Sequence, residues 1–290
     1  MATTYAPELR QQVAEGCGRF STAAVRDDAN ASATVSAAYE AGIRVFDSAR
    51  AYATVNDPFH NESLIASALR GREDAFIMTK GGHFRTGDNS WGVDNSPARL
   101  RKDVDGSLRA LGRERLDLYF LHRADGPLDL VDAFGTLEEL RVEGKIGSIG
   151  ISNASMTQVD DASTVCQLTA VQNRFVAGDS ANEVRRAEDL GLVFFAYSPL
   201  GGPSQAGAIP SRFPALSALA TARGATAQRL ILRGMLAQYS ALSVIVGMGS
   251  PERARENAKA SSEPWDGTCQ AAWEADVQKL GRVVGGGTTR

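Results

Sequence analysis

Seven short apolar runs, each bounded by turn or charged residues, recur along this chain and constrain its fold more than any other feature. They are GIRVFD (42–47), DAFIMTK (74–80), LDLYFLH (116–122), GSIGIS (147–152), LTAVQ (168–172), GLVFFAYS (191–198) and LSVIVG (242–247). Unbroken runs of this length read as strands covered on both faces, the condition parallel sheets impose. Between them lie stretches with helical spacing. In the clearest, Ser96 caps, Pro97 opens the first turn, and Leu100, Val104, Leu108 and Leu111 follow on one face. Adding EGCGRF (15–20) as a first strand gives eight βα units, so the α/β class is expected as a closed (β/α)8 TIM barrel rather than an open doubly wound sheet. At 290 residues the barrel is expected as one domain spanning 1–290, its Gly-rich tail GGGTTR frayed and lacking any phosphate-binding context.

Charge narrows the partners. The 31 basic and 34 acidic residues give a net charge of -3 and are spread along the chain, which points away from nucleic acid and membrane surfaces and toward small neutral molecules. Glu8, Arg10 and Glu15 interrupt the first twenty residues, so neither a secretory leader nor a membrane span is expected, and the cytoplasm is the expected location. Cys17, Cys166 and Cys269 are widely spaced and odd in number, which fits core residues better than a disulfide framework or a metal site. Oligomeric state is not fixed by the sequence.

Polar residues collect where the apolar runs stop. Asp47 ends one strand with Tyr52 just beyond it, Lys80 ends the next, and His122 ends the one after. Each has an ordinary explanation alone: a loop cap, a solvated lysine, a histidine satisfying a backbone group. At one barrel mouth they form an acid-base set, because a tyrosine with a reference pKa of about 10 needs a neighbouring cation to give up its proton near neutrality. Lys80 supplies that charge, Asp47 holds the lysine charged, and His122 is placed to orient a carbonyl oxygen.

At these residues the chain resembles the aldo-keto reductase family, in FDSARAY, IMTK, LDLYFLH, GKIGSIGISN, VQN, YSPLGG and SPERARENA, over roughly residues 14 to 260. The resemblance implies hydride transfer between a nicotinamide cofactor and an aldehyde or ketone, with Asp47, Tyr52, Lys80 and His122 as the catalytic tetrad. It further implies that Ser152, Asn153 and Gln172 hold the nicotinamide carboxamide, that Tyr197 stacks on its ring, and that Ser198, Leu200, Gly201 and Gly202 approach the pyrophosphate. The segment VGMGSPERARENA reads independently as a loop entering a helix capped by Ser250, with Pro251 first and Glu252 in the first turn, an arrangement whose backbone amides suit phosphate. By resemblance, Gly247, Met248, Gly249, Arg253, Glu256 and Asn257 surround the adenosine end, and Arg253 meets a 2'-phosphate. NADP(H) is therefore the expected cofactor, with NAD(H) open. Two departures bear on this: Val246 stands where proline is frequent in the family, and Gly247 where many members carry a second phosphate-binding lysine.

The substrate pocket is expected from variable loops. Residues 81–95 contribute His83, Phe84, Arg85 and Trp91, and the segment after His122 contributes Arg123 and Asp125. Trp91 and Phe84 are expected as wall, with Arg85 and Arg123 as candidates for an anionic substrate. Two other readings compete: a regulatory or interaction protein that keeps the nucleotide site with little turnover, and a barrel isomerase or aldolase in which Lys80 forms a Schiff base.

Overall fold

The computed structural model describes residues 8–87, 90–126 and 129–285. Among the described residues ten strands form: β1 (Val13–Gly16), β2 (Val45–Asp47), β3 (Phe76–Gly81), β4 (His83–Gly87), β5 (Ser90–Val93), β6 (Leu116–Leu121), β7 (Ile146–Ser152), β8 (Leu168–Arg174), β9 (Val193–Tyr197) and β10 (Leu242–Val246). Eight of them close into a parallel barrel in the order β1-β10-β9-β8-β7-β6-β3-β2, while β4 and β5 form a separate antiparallel hairpin. The expected (β/α)8 barrel is thus the observed fold. Its seam closes where β1 pairs with β10 at Glu15↔Val246 and with β2 at Gly16↔Asp47.

Alternation within the strands divides the core in two. Ala14, Val45, Met78, Leu118, Phe120, Ala170, Phe195 and Ile245 point inward and fill the barrel, while residues between them, such as Phe46, Ile77, Tyr119 and Phe194, face the helices. Both faces are buried, which is why the strands read as continuous apolar runs. Helix starts follow their caps: Ser96 accepts from Arg99 N, Ser155 makes a reciprocal pair with Gln158, and Ser250 accepts from Arg253 N with Pro251 at the first position. All three cysteines are buried and free.

Two local expectations need correction. The first strand is Val13–Gly16, so EGCGRF supplies only its last two residues, and Arg19–Thr22 is already a helical turn. Gly16 and Gly18 mark the exit from the strand, not its interior. The stretch 81–95 is not a plain loop: Gly82, at φ +79°, turns the chain out of β3 into the β4–β5 hairpin. The terminal GGGTTR lies outside the described residues from 286 onward, so its fraying is left as an expectation.

Candidate active site

The C-terminal ends of the barrel strands surround a cavity of about 880 Å³. That lies near the top of the range of about 300–1,000 Å³ usual for small-molecule sites, leaving room for a ligand much longer than a simple carbonyl compound. Asp47, Tyr52, His122, Asn153, Gln172 and Tyr197 line one part of it, and Gly247, Met248, Gly249, Arg253, Glu256 and Asn257 another. Ser198, Leu200 and Gly202 lie along the wall between.

Neighbouring strands β2 and β3 present Asp47 and Lys80 to the same interior. The Lys80 ammonium donates to Asp47 Oδ1 at 2.7 Å, Asp47 Oδ2 at 2.8 Å and Ser48 O at 2.7 Å, and reaches Tyr52 Oη at 3.4 Å. Gln172 Nε2 donates to Asp47 Oδ1 at 2.9 Å, tying the pair to β8 across the barrel. Lys80 is fully buried. Burial is the largest single influence and works against its charge, but Asp47 and Tyr52 together outweigh it, so its pKa lies above the ordinary lysine value. Burial pushes the Tyr52 phenol up, with the Lys80 cation pulling the other way. Tyr52 therefore keeps its proton through neutral pH, beside a cation that would stabilise its loss.

His122 stands edge-on to Tyr52, ring centres 5.9 Å apart, and edge-on to His83 at 4.9 Å. Burial first, then the positive charges of Lys80 and Arg123 and the neighbouring His83, hold its pKa well below the usual imidazole value. It is neutral at pH 7. Its Nδ1 is buried without a partner, so the tautomer with hydrogen on Nε2 avoids stranding an N–H and leaves a donor for the cavity.

Asn153 follows the end of β7 with φ +54°, a left-handed conformation that short polar side chains tolerate. From there its amide donates to His122 O at 3.0 Å and accepts from Tyr197 Oη at 2.7 Å, so one side chain joins the ends of β6, β7 and β9. Its second donor contact goes to Ser152 Oγ at 3.1 Å. The ordinary alternative, a helix cap at Ser152 or Asn153, is not what forms: Ser155 caps that helix. Ser198, at φ +54°, and Gly201 and Gly202, at φ +88° and +85°, give the segment after β9 a succession of left-handed residues, and no atom of the described residues lies within 4 Å of a Cβ built on Gly202. Such backbone can approach an anion closely. Ser198 and Gly202 line the cavity and Gly201 does not, and the two that do fit a dinucleotide lying along it.

At the far end Arg253 is exposed and its backbone N–H donates to Ser250 Oγ. Glu256 is held by Thr226, by Lys259 at 3.0 Å and by Arg229 at 3.3 Å. Among the described residues, a Cβ on Gly247 would meet only Gly16 O, at 3.7 Å, an ordinary van der Waals contact.

The expected substrate wall is arranged differently. Trp91 and Phe84 do not line the cavity. Trp91 donates to Ala51 O at 3.3 Å and is 42% exposed, and the Arg99 guanidinium stacks over the Phe84 ring at 3.6 Å. Arg85 donates to Ala53 O at 2.9 Å. The hairpin thus buttresses the loop carrying Tyr52 and, of its described residues, gives only His83 to the cavity. Arg123 does line it, bound twice by Asp125 at 2.9 and 2.5 Å.

Sequence reasoning missed several residues. Gly18 lines the cavity and a Cβ there would lie 3.2 Å from the Tyr52 ring, a close approach that the Gly16-Cys17-Gly18 spacing could have signalled. Asn30, whose amide donates to Gly249 O at 3.0 Å, and Gln228 also reach the cavity, without any sequence signal. Behind β3 lies a polar cluster in which the buried carboxyls of Glu62 and Asp103 meet the partly buried Arg50 and Arg99. Arg50 Nε is 3.5 Å from Asp103, whose other oxygen accepts from Arg99 at 2.9 Å and from Gly82 N at 3.1 Å. Arg50 also donates to Pro58 O at 2.7 Å, so the cluster anchors both ends of the loop that bears Tyr52.

Comparison with known proteins agrees with this geometry. The model described as the aldo/keto reductase family matches residues 14–275. An uncharacterised oxidoreductase of Schizosaccharomyces pombe is 29% identical over 79% of this chain and 73% of its own length. Pyridoxine 4-dehydrogenase of Escherichia coli is 31% identical over 64% of this chain and 66% of its own length. Among solved structures, a glycerol dehydrogenase from Gluconobacter oxydans superposes with a TM-score of 0.77 at 23% identity, covering 92% of this chain and 91% of the other, a likeness of fold. An aldo/keto reductase from Brucella melitensis gives 0.72 at 25% identity, covering 93% of each.

Proposed function

Given that the chain belongs to the aldo/keto reductase family, and so is an oxidoreductase of carbonyl compounds that works with a nicotinamide cofactor, we propose that Tyr52 is its proton donor and NADP(H) its preferred cofactor. The observation that carries this reading is the buried Lys80 ammonium, held by Asp47 and set 3.4 Å from Tyr52 Oη at the cavity floor. A bound nicotinamide supplies the hydride. The chain's own part is to place a carbonyl oxygen between Tyr52 Oη and His122 Nε2 and to deliver the phenolic proton as negative charge grows on that oxygen. Lys80 stabilises the phenolate left behind. Neutral His122 donates a hydrogen bond without competing for that proton. In the reverse direction the same phenolate accepts the alcohol proton. Residues 1–290 act as one catalytic unit in this reading, on a small-molecule carbonyl or alcohol.

A Schiff-base role for Lys80 is disfavoured, because an amine held charged by a bidentate carboxylate is a poor nucleophile. The regulatory alternative, a nucleotide site with little turnover, is disfavoured by the contact of Lys80 with both Asp47 and Tyr52. The test is to incubate the protein with NADPH, then NADH, over a panel of aldehydes, ketones, sugars and pyridoxal, following loss of reduced-nicotinamide absorbance. Saturable oxidation by at least one carbonyl class is expected. Tight nucleotide binding with no oxidation by any of them would move the protein to the regulatory reading.

A further inference from the structure

The cavity wall beside His122 holds a second imidazole that the acid-base set does not use. His83 lies on β4, three residues past Lys80, and its ring centre is 4.9 Å from that of His122. Its placement is fixed by backbone. Gly82 N donates to Asp103 Oδ2 at 3.1 Å, Gly82 O accepts from Asp94 N at 2.8 Å, and His122 N donates to Gly81 O at 3.0 Å. Burial, then the nearby Arg123 cation, lowers its pKa, so it is neutral at pH 7. Its Nδ1 is buried without a partner, while Nε2 has no hydrogen bond among the described residues and is left to the cavity that His83 lines. Two neutral imidazoles therefore offer adjacent hydrogen-bonding groups at the substrate end.

The charges nearby are already matched. Arg123 is engaged by both oxygens of Asp125, and Arg85 by the carbonyls of Ala53 and Gly87. Among the described residues an anionic substrate would find no unmatched cation beside His83, and a purely apolar one would leave His83 without a partner. Resting on the reading of Tyr52 and His122 as the groups that hold the carbonyl oxygen, we infer that His83 determines specificity by hydrogen-bonding a hydroxyl on the carbon next to the carbonyl. The preferred substrates are then neutral 2-hydroxy aldehydes and ketones. A substrate of this kind places two oxygens on adjacent carbons, one for His122 and one for His83. A site built to bond a hydroxyl discriminates against the analogue that lacks it, because the protein group is then desolvated and unpaired.

The test compares kcat/KM for matched pairs, glyceraldehyde against propanal and glycolaldehyde against acetaldehyde, in the wild type, His83→Leu and His83→Gln. A neutral hydrogen bond is worth about 0.5–1.5 kcal/mol, so the hydroxy-to-deoxy ratio should fall by roughly twofold to tenfold in His83→Leu. His83→Gln, which keeps a donor and an acceptor, should retain an intermediate ratio. The inference is overturned if the wild type shows no preference for the hydroxy partner, or if both substrates of a pair fall equally in the leucine variant. A wild type that oxidises NADPH with propanal but without hydroxyl preference sinks only this inference. One that turns over no carbonyl at all sinks the reading beneath it as well.

Discussion

Lys80 and Asp47 form a bidentate ion pair inside the barrel, with the ammonium 2.7 and 2.8 Å from the two carboxylate oxygens and no exposure of the lysine. The pair is deep enough that neither member can be removed cheaply. Replacing one partner of a buried pair strands the other charge, at a cost of about 3–5 kcal/mol. Lys80→Met should therefore lower the midpoint of urea unfolding as well as abolish turnover. The double variant Lys80→Met/Asp47→Leu should be destabilised by less than the sum of the two single changes, since no unmatched charge remains. Additive losses in the cycle would mean that the pair contributes no coupling.

Tyr52→Phe should lower kcat by about a hundredfold to ten-thousandfold, the usual contribution of general acid catalysis, while the dissociation constant of the nucleotide stays nearly unchanged. The pH dependence has a definite sign. Tyr52 titrates above the ordinary tyrosine value, so the proton-donating form persists through neutrality and is lost only on the alkaline side. Carbonyl reduction should stay level near pH 7 and decline at high pH, whereas alcohol oxidation, which needs the phenolate, should rise there. The residual activity of Tyr52→Phe should lack that alkaline limb. Pre-steady-state rates in both directions would show it.

Most of the architecture was legible because the strands carry their own punctuation. Runs such as LDLYFLH are covered on both faces and close on the polar residue that the barrel delivers to its mouth. The first strand was displaced because EGCGRF contains the glycines of a strand exit, and its Phe20 packs in a following helical turn. Trp91 looked like a pocket wall because a large aromatic in a variable loop has no partner visible in sequence. The structure pairs β4 with β5 and sends the indole N–H to Ala51 O. The cluster of Arg50, Glu62, Arg99 and Asp103 was wholly illegible: its members share no motif, and only the fold brings them behind β3.

That cluster yields a stability prediction. Burial raises the Glu62 pKa to about 7 from the ordinary 4.5, despite its hydrogen bond from Thr79 Oγ1 at 2.6 Å. A folded-state pKa above the unfolded one means that the native state binds the proton more tightly. The associated stability is full below about pH 4.5 and is lost as pH rises through about 7. Each tenfold difference in proton affinity between the two states corresponds to about 1.4 kcal/mol, so the loss is on the order of 3 kcal/mol. Glu62→Gln keeps an acceptor for Thr79 but cannot ionise, so its stability at pH 8 relative to pH 5 should exceed that of the wild type. Denaturant titrations at the two pH values test this, and parallel curves for both proteins would place the ionised Glu62 at no disadvantage.

Discrimination between the two nicotinamide cofactors should rest largely on Arg253. Gly247 supplies no side chain where a second cation would help, and Glu256 is already matched by Arg229 and Lys259, so it does not quench the arginine. Arg253 stands in the first turn of its helix, two residues after Pro251, and lines the cavity. A hydrogen bond to a charged group contributes about 1.5–3 kcal/mol, which corresponds to roughly a ten- to hundredfold preference. Because Arg253 is exposed, solvent screening favours the lower end of that range. Arg253→Ala should weaken NADPH binding by about that factor and leave NADH little changed, since NADH has no 2'-phosphate to lose a partner. Raising the salt concentration should weaken NADPH more than NADH in the wild type and should lose that selectivity in the variant. Titrating both nucleotides by fluorescence against both proteins is sufficient. Equal weakening of the two, or no change in either, would remove Arg253 from the phosphate site and with it the basis for preferring NADP(H).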